Sequence, residues 1–321
     1  MKDLGSKRNF WLLLCLVMNT LAACNNNGGK TTETDNATHG TINISVDEAF
    51  APIVDTQINT FEGIYKYANI NAEYKPEGKV FEDLLSSDNR VRLVIASRML
   101  TPNEQEAFKE QQITPRITKI AIDGVAIIVN NANPDTVFTL EELRKIFSGD
   151  VRTWKQLNPK SPLDSITIVF DNNSSSSARY IKDSLIHTQQ LPPNTFASQS
   201  HPALIDYVAQ NKNAVGVIGV NWISDFDDKN AMAFLKKIKV VSTGYNVDKQ
   251  DNNTYFQPYQ AYLAQGQYPL RRDVYIIKRE ARVGLGTGFE SFVAGDKGQR
   301  IILKSGLVPA TMPVRIVGFK E

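Results

Sequence analysis

The first part of the chain alternates β-branched apolar runs with segments in which apolar residues recur at helical spacing. The runs predict strands at Thr41–Val46, Ile70–Tyr74 and Arg92–Ala96, and a predicted helix follows each of them. This β-α-β-α-β-α order is typical of an open parallel sheet with helices on its faces. In such sheets ligands bind beyond the carboxyl ends of the strands.

Polar residues follow the ends of two of these predicted strands. Asp47 and Glu48 come after the first strand, where they suit either the cap of a helix or a contact to a ligand. Ser97 and Arg98 come after the third strand. The sequence therefore places candidate ligand-binding side chains at one edge of the sheet.

The longest β-rich stretch runs from Ile117 to Asn130 and is interrupted by Asp123 and Gly124. An Asp-Gly pair is a strong hairpin signal. The stretch could equally be one long strand that crosses between two domains and bends at Gly124. The sequence leaves both interpretations open.

A second candidate ligand-binding segment combines a strand, a polar turn and the start of a helix. Ile166–Phe170 predicts the strand, Asp171 opens the turn, and apolar residues at helical spacing follow from Ala178. Between the strand and the helix lie four serines, Ser174, Ser175, Ser176 and Ser177. Arg179 adds a cation suited to an oxyanion. The segment predicts either a seat for phosphate, sulfate or a carboxylate, or a plain serine cap in front of a solvated loop.

The N-terminus has the pattern of a bacterial lipoprotein signal peptide. Basic residues precede the apolar stretch Phe10–Val17, and Leu21-Ala22-Ala23-Cys24 looks like a lipobox. We predict that residues 1–24 form the signal, that Cys24 is lipidated, and that residues 25–40 are a flexible tether. An ordinary secretory signal with an incidental cysteine is the alternative. A lipid anchor would hold the protein on a bacterial membrane in the cell envelope without spanning it, on the periplasmic side.

Composition and residue types argue against several classes of function. A 42% hydrophobic and 22% charged chain is globular, and a net charge of +2 gives no argument for a nucleic-acid partner. The histidines, His39, His187 and His201, show no metal-ligand spacing, and no Gly-x-Ser-x-Gly elbow is present. With Cys15 in the signal and Cys24 lipidated, no thiol remains for a disulfide or a nucleophile. We expect neither an enzyme nor a cofactor.

Several segments together resemble the PstS family of phosphate-binding proteins. They are Ala96-Ser97-Arg98, the run Ile120–Asn130, Leu140–Trp154, Tyr268-Pro269-Leu270 and the tail Gly298–Pro309. The resemblance implies an α/β fold, namely a two-lobed type II periplasmic binding protein with a hinge between two mixed α/β domains. One lobe would comprise residues 41–123 and 270–321, and the other residues 124–269. It further implies a monomer that closes on inorganic phosphate or a related oxyanion and delivers it to the permease subunits of an ABC importer.

The resemblance also implies site residues. Ser97, Arg98 and the serines 174–177 would contact the ligand, with Glu48 and Arg179 as further contacts. Asp171 stands where the family has an arginine, so it is a candidate proton acceptor for the ligand or a partner for Arg98. The carboxyl groups at Asp47, Glu48 and Asp171 leave two alternatives open: the same fold with a different ligand, or a ligand-free scaffold or sensor.

Overall fold

The computed structural model describes residues 35–88, 90–245, 254–280 and 283–314. The predicted signal peptide with Cys24, most of the predicted tether, and most of a last strand predicted over Val314–Phe319 lie outside the described residues. In the described part of the chain, no helix is both long enough and apolar enough to cross a membrane.

The fold is mixed α/β, as predicted. Its strands are β1 His39–Asp47, β2 Tyr67–Lys75, β3 Val91–Ala96, β4 Arg116–Asn130, β5 Val137–Thr139, β6 Thr167–Phe170, β7 Thr195–Ala197, β8 Ala214–Gly219, β9 Ile238–Val240, β10 Ser242–Gly244, β11 Tyr255–Phe256, β12 Arg271–Lys278 and β13 Val308–Pro309.

The α-helices are α1 Ala51–Ile64, α2 Glu77–Leu85, α3 Pro102–Glu110, α4 Leu140–Ser148, α5 Trp154–Leu157, α6 Ser176–Tyr180, α7 His201–Gln210, α8 Lys229–Leu235, α9 Gln260–Gln265, α10 Leu285–Ala294 and α11 Asp296–Lys304. A single π-helical stretch, Ile181–Ile186, continues α6. Short 3₁₀ turns at Glu48–Phe50 and Val220–Trp222 follow β1 and β8.

The main sheet has the strand order β2-β1-β3-β12-β4-β8-β6-β7. β1 pairs in parallel with both β2 and β3, which confirms the predicted start of the fold. β12, from late in the chain, is inserted antiparallel between β3 and β4. The late chain thus completes a sheet that the early chain begins.

β4 is one long strand, so the hairpin interpretation of residues 117–130 is wrong. Its first part, up to Gly124, pairs with β12, and from Val125 onward it pairs with β8 and β9. A Cβ atom on Gly124 would lie 2.9 Å from Val220 Cγ2 and 3.0 Å from Leu263 Cδ2, so close packing requires glycine at the point where the pairing changes.

We call β2, β1, β3, β12 and the first part of β4 the first half-sheet, and the second part of β4 with β8, β6 and β7 the second half-sheet. The lobe boundaries near residues 123–124 and 269–270 stay a prediction.

Capping residues mark the ends of two helices. Thr101 caps α3 and Thr139 caps α4, and each forms a capping box with the glutamate three residues later. Gly149 ends α4 in the left-handed conformation, at φ 86°. Trp154 is fully buried and packs near Phe138, so it belongs to the core. The helices pack against one hydrophobic core that continues behind both half-sheets.

Candidate functional site

Charged and hydroxyl side chains from both half-sheets meet beyond the carboxyl ends of their strands. Asp47 and Glu48 follow β1, Glu77 follows β2 and Ser97 follows β3. Asp171 follows β6, and after it comes the turn with the serines at 174–177, which we call the serine turn. This is the edge at which open α/β sheets bind ligands. The two sides touch, since Arg179 of the second half-sheet donates hydrogen bonds to Glu77 and Ser97 of the first.

The carboxylate of Glu77 joins the two half-sheets. Its Oε1 accepts hydrogen bonds from the backbone N–H of Ser97 at 3.0 Å and from Ser97 Oγ at 2.8 Å. Arg179, from α6, donates from Nε to Glu77 Oε2 and from Nη2 to Ser97 Oγ, the latter at 3.0 Å. The Glu77 side chain is only 2% exposed, so its charge depends on these donors for stabilisation.

A second ion pair lies between β4 and β12. Arg272 Nε donates to Asp123 Oδ2 at 2.9 Å, and Nη1 donates to Ser176 Oγ at 2.9 Å. The guanidinium also lies over the ring of Phe50, with Cζ 5.0 Å from its centroid. Burial raises the pKa of Asp123, and the charge of Arg272 opposes that rise. Arg272 therefore connects the first half-sheet to the serine turn.

Three further carboxyl groups lie beside these pairs. Burial and, after it, the charge of Glu77 raise the pKa of Asp47 to about 7, against the opposing charge of Arg272. Burial and, after it, the facing carboxyl group of Asp171 raise the pKa of Glu48 to about 8. Glu48 follows β1 and Asp171 follows β6, so carboxyl groups from the two half-sheets face each other here.

His201 lies beside Asp171, and Asn221 lies beside the turn after β1. His201 Nδ1 lies 3.9 Å from Asp171 Oδ2, and its ring stacks on Trp222 with 4.7 Å between centroids and 6° between planes. Burial lowers the pKa of His201, so the imidazole is neutral near pH 7. Asn221 Nδ2 donates to the carbonyl of Ala49 at 3.1 Å, which ties the turn after β8 to the turn after β1.

Most of the predicted site residues meet here. Glu48, Ser97, Asp171, Ser176, Ser177 and Arg179 all lie in or beside this group of side chains. Ser175 caps α6, because its Oγ accepts from the backbone N–H of Ala178 at 3.2 Å. The plain capping interpretation therefore holds for that one serine. Ser174 is exposed and bonds to Asn172 Oδ1 at 2.9 Å.

Arg98 does not pair with Asp171. Its Nη1 and Nη2 donate to the two carboxylate oxygens of Glu104, at 2.7 and 2.8 Å, and the guanidinium stacks on Phe81 at 3.4 Å from the ring centroid. The cations that reach the site are Arg179 and Arg272. Arg98 instead lines a neighbouring cavity of about 360 Å³ together with Arg179, Arg271 and Arg272, which we call the arginine pocket.

Several residues of the group were not predicted from the sequence: Glu77, Asp123, His201, Asn221 and Arg272. Two signals were present. Arg272 occupies an inward position of β12, in phase with the buried Val274 and Ile276, where a charge needs a buried partner. Glu77 follows a strand end, as Glu48 and Ser97 do. The positions of His201 and Asn221 depend on tertiary contacts that no local pattern encodes.

The group consists of charged and hydrogen-bonding side chains. Within the described ranges, no cluster of three or more His, Cys, Asp or Glu side chains could hold a metal ion. Unpartnered carboxyl oxygens come from both half-sheets, at Asp47, Glu48 and Asp171, and an unpartnered hydroxyl comes from the second, at Ser177. Such a site can surround a small solute with hydrogen-bonding partners.

Known proteins with similar sequences are phosphate-binding proteins. The chain is 26% identical to the phosphate-binding protein PstS of Staphylococcus epidermidis over 284 residues, which covers 87% of this chain and 82% of that protein. It is 27% identical to PstS of Staphylococcus aureus over 254 residues, which covers 78% and 72% of the two chains.

Solved structures share the fold. A Clostridium perfringens protein solved with bound phosphate superposes with a TM-score of 0.70 at 18% identity, covering 85% of this chain and all (100%) of that one. An ABC-type phosphate transport receptor from Vibrio cholerae gives a TM-score of 0.63 at 22% identity, covering 84% and 100%. A model of the PBP superfamily domain matches residues 31–297. The resemblance to the PstS family is thereby confirmed, and the chain belongs to the PBP superfamily, whose type II periplasmic binding protein fold it shares.

Proposed function

We propose that the protein is an extracytoplasmic, lipid-anchored receptor that captures inorganic phosphate between its two half-sheets and delivers it to an ABC importer. In this proposal it is a binding protein and not an enzyme. The two half-sheets correspond to the predicted lobes, residues 41–123 with 270–321 and residues 124–269.

The observation that carries the proposal is a set of buried polar atoms without hydrogen-bond partners among the described residues. They include both carboxylate oxygens of Asp171, Ser177 Oγ, Asn221 Oδ1 and His201 Nε2. Leaving such a group unpaired costs about 1–3 kcal/mol, so protein interiors rarely tolerate several of them together. A small polar ligand held between the half-sheets would satisfy them.

The relatives support phosphate as that ligand. The proteins from Staphylococcus epidermidis and Staphylococcus aureus are phosphate-binding proteins, and the Clostridium perfringens structure contains phosphate. The relatives' names also support an ABC importer as the partner.

We assign roles from the contacts. Ser177 donates to the ligand, and Glu48 and Asp171 accept from it. Ser97 and Arg179 form the wall with Glu77, and Ser176 orients Arg272. Ser175 positions the turn by capping α6, whereas Ser174 and Arg98 lie at the margin of the site.

One observation favours a second candidate, a small cationic ligand. The carboxyl groups of Asp47, Glu48 and Asp171 have no Lys or Arg partner within 4 Å in the described part of the chain. A cation would be attracted to them, and a dianion would be repelled.

Isothermal titration of the purified full-length protein, unfolded and refolded to remove carried-over ligand, separates the candidates. We expect saturable binding of phosphate and no binding of sulfate, which offers no hydroxyl proton to the carboxyl groups. Binding of a small amine without phosphate binding would establish the second candidate. If the folded protein gives no heat of binding with any of the solutes, the receptor function is contradicted.

The anchoring part of the proposal has its own test. Cys24→Ser should move the protein from the membrane fraction to the soluble fraction, because the lipid is attached at that sulfur. Retention of the variant in the membrane fraction would contradict lipidation at Cys24.

A further inference from the structure

An ion pair of the chain's own residues joins the two half-sheets beside the site. Glu77 follows β2 in the first half-sheet, Arg179 lies in α6 of the second, and Arg179 Nε donates to Glu77 Oε2. Glu77 Oε1 accepts from the backbone N–H of Ser97 at 3.0 Å and from Ser97 Oγ at 2.8 Å. We call the pair of Glu77 and Arg179 the latch.

The carboxylate of the latch has the surroundings of a bound oxyanion. An ionised carboxylate, like an ionised phosphate, only accepts hydrogen bonds, and Glu77 accepts them from a backbone N–H, a hydroxyl and a guanidinium. The Glu77 side chain is 2% exposed and that of Arg179 is 23% exposed, so solvent screens the pair less than it screens a surface pair. The chain therefore supplies an anion of its own between the half-sheets.

Two further contacts close the same gap. Arg272 of β12 donates to Ser176 Oγ at 2.9 Å, and Asn221, which follows β8, donates to the carbonyl of Ala49 at 3.1 Å. Asp171, whose carboxylate oxygens lack partners among the described residues, is fully buried. A solute can therefore reach Asp171 only when the half-sheets separate.

We infer that Glu77 acts as a built-in bridging anion that holds the two half-sheets together before any solute is bound, and that breaking the latch is the step that admits phosphate. Glu77 is then a positioning residue, since it acts through Arg179 and does not contact phosphate. Because the latch closes the empty and the occupied cleft alike, it governs the rates of entry and release more than the affinity. The inference deepens the proposed function, on which its second test rests, whereas its first test uses no ligand.

Hydrogen exchange of the ligand-free, refolded full-length protein measures how often the half-sheets separate. Glu77→Gln keeps the size of the side chain and removes its charge. Amides of the facing turns at residues 47–50 and 171–178 should exchange about tenfold faster in the variant, the effect of losing a charge-assisted hydrogen bond. Amides of the core strand β8 should exchange at the unaltered rate, which separates opening of the cleft from a loss of global stability.

Glu104→Gln is the matched control. Glu104 forms a two-bond ion pair with Arg98, and both residues lie on the side of the first half-sheet. Exchange of the two turns should stay within about twofold of the unaltered protein. Unchanged exchange of the turns in Glu77→Gln, or the same acceleration in both variants, would overturn the inference and leave the phosphate function intact.

Rapid mixing with radiolabelled phosphate gives the second test. Glu77→Gln should raise the association and the dissociation rate constants by about tenfold each, and should change the affinity by less than about threefold. Loss of a direct contact to the ligand would raise the dissociation rate constant alone. Tighter binding without faster dissociation would show that phosphate displaces Glu77, which would overturn the inference. If phosphate does not bind while the exchange results are as expected, the proposed function fails and the closed empty cleft is supported.

A second variant tests whether the two residues act as one contact. Arg179→Met should raise both rate constants as Glu77→Gln does. The double variant should exceed the larger single effect by no more than about twofold, because each single change already breaks the latch. Additive effects in the double variant would show that the two side chains act independently, and would overturn the inference.

Discussion

The carboxyl groups of Glu48 and Asp171 face each other, although Glu48 follows β1 in the first half-sheet and Asp171 follows β6 in the second. Two ionised carboxylates would repel each other at that separation. Burial and, after it, the facing carboxyl group of Asp171 raise the pKa of Glu48 to about 8, so Glu48 keeps its proton at neutral pH.

The first prediction concerns Ser177, whose buried Oγ has no partner among the described residues. Ser177→Ala should lower phosphate affinity by about tenfold or more, the effect of losing one hydrogen bond to a charged group. The free energy of unfolding of the ligand-free protein should not fall and should rise by up to about 1–3 kcal/mol, because the variant no longer buries an unpaired hydroxyl. Calorimetry and chemical denaturation measure the two quantities.

Ser174→Ala is the matched control for Ser177. Ser174 is exposed and bonds only to its neighbour Asn172 among the contacts described. We expect its affinity to stay within about twofold of the unaltered protein. Equal losses in the two variants would contradict the assignment of Ser177 as the donor.

The second prediction concerns the buried pair of Arg272 and Asp123. Arg272→Met should lower the free energy of unfolding by about 3–5 kcal/mol, because Asp123 would keep a buried charge without its partner. The double change Asp123→Asn with Arg272→Met should recover part of that loss. Arg300→Met, which breaks an exposed pair with Asp296, should cost less than about 1 kcal/mol. Similar losses for Arg272→Met and Arg300→Met would contradict the account.

The third prediction concerns the pH dependence of stability. Folding raises the pKa of Asp47 to about 7 and that of Glu48 to about 8, so the folded state binds more protons than the unfolded state between about pH 4 and those values. Their contribution to stability is therefore full at acid pH and is lost as the pH rises through about 7 to 8. The free energy of unfolding, measured by denaturant titration at a series of pH values, should show this loss.

Glu48→Gln isolates that contribution. Burial lowers the pKa of His201, and this residue makes stability rise with pH, so the slope of the unaltered protein combines both effects. The variant should lose stability less steeply with rising pH than the unaltered protein does. Identical slopes in the two proteins would show that Glu48 holds no proton in the folded state.

The fourth prediction concerns Arg98, which is held by Glu104 and stacks on Phe81. Arg98→Met should lower the free energy of unfolding by about 1–3 kcal/mol, the value of a charge-assisted hydrogen bond in a partly buried position. Phosphate affinity should stay within about twofold, since the guanidinium is engaged outside the group of site residues. A large loss of phosphate affinity at unchanged stability would show that Arg98 contacts the ligand.

Much of the fold could be predicted because its signals are local. Each signal depends only on a few neighbouring residues. Examples are the alternation in β1 to β3, the capping boxes at Thr101 and Thr139, and Gly149 at the end of α4. The path of β4 could not be decided, because Asp123 and Gly124 form a turn signal in sequence. The glycine instead allows close packing against Val220 and Leu263, which are distant in the chain.

The site was predicted in part, because some of its residues lie at positions that the local sequence identifies. The rule that ligands bind at strand ends pointed to Glu48 and Ser97, whereas Asp171 became a candidate through the family resemblance. It could not indicate where a long side chain points. Arg98 is adjacent to Ser97 in sequence but turns to Glu104, whereas Arg179 reaches Ser97 from the second half-sheet. Arg272 joins the site only because β12 is inserted beside β4.

The most direct test of phosphate binding at this site is a crystal structure with arsenate, whose arsenic atom can be located by anomalous scattering. We predict one strong peak within hydrogen-bonding reach of Ser177 Oγ and the carboxyl groups of Glu48 and Asp171. A peak only in the arginine pocket, or none in crystals grown at a concentration that saturates binding in solution, would contradict the proposed site.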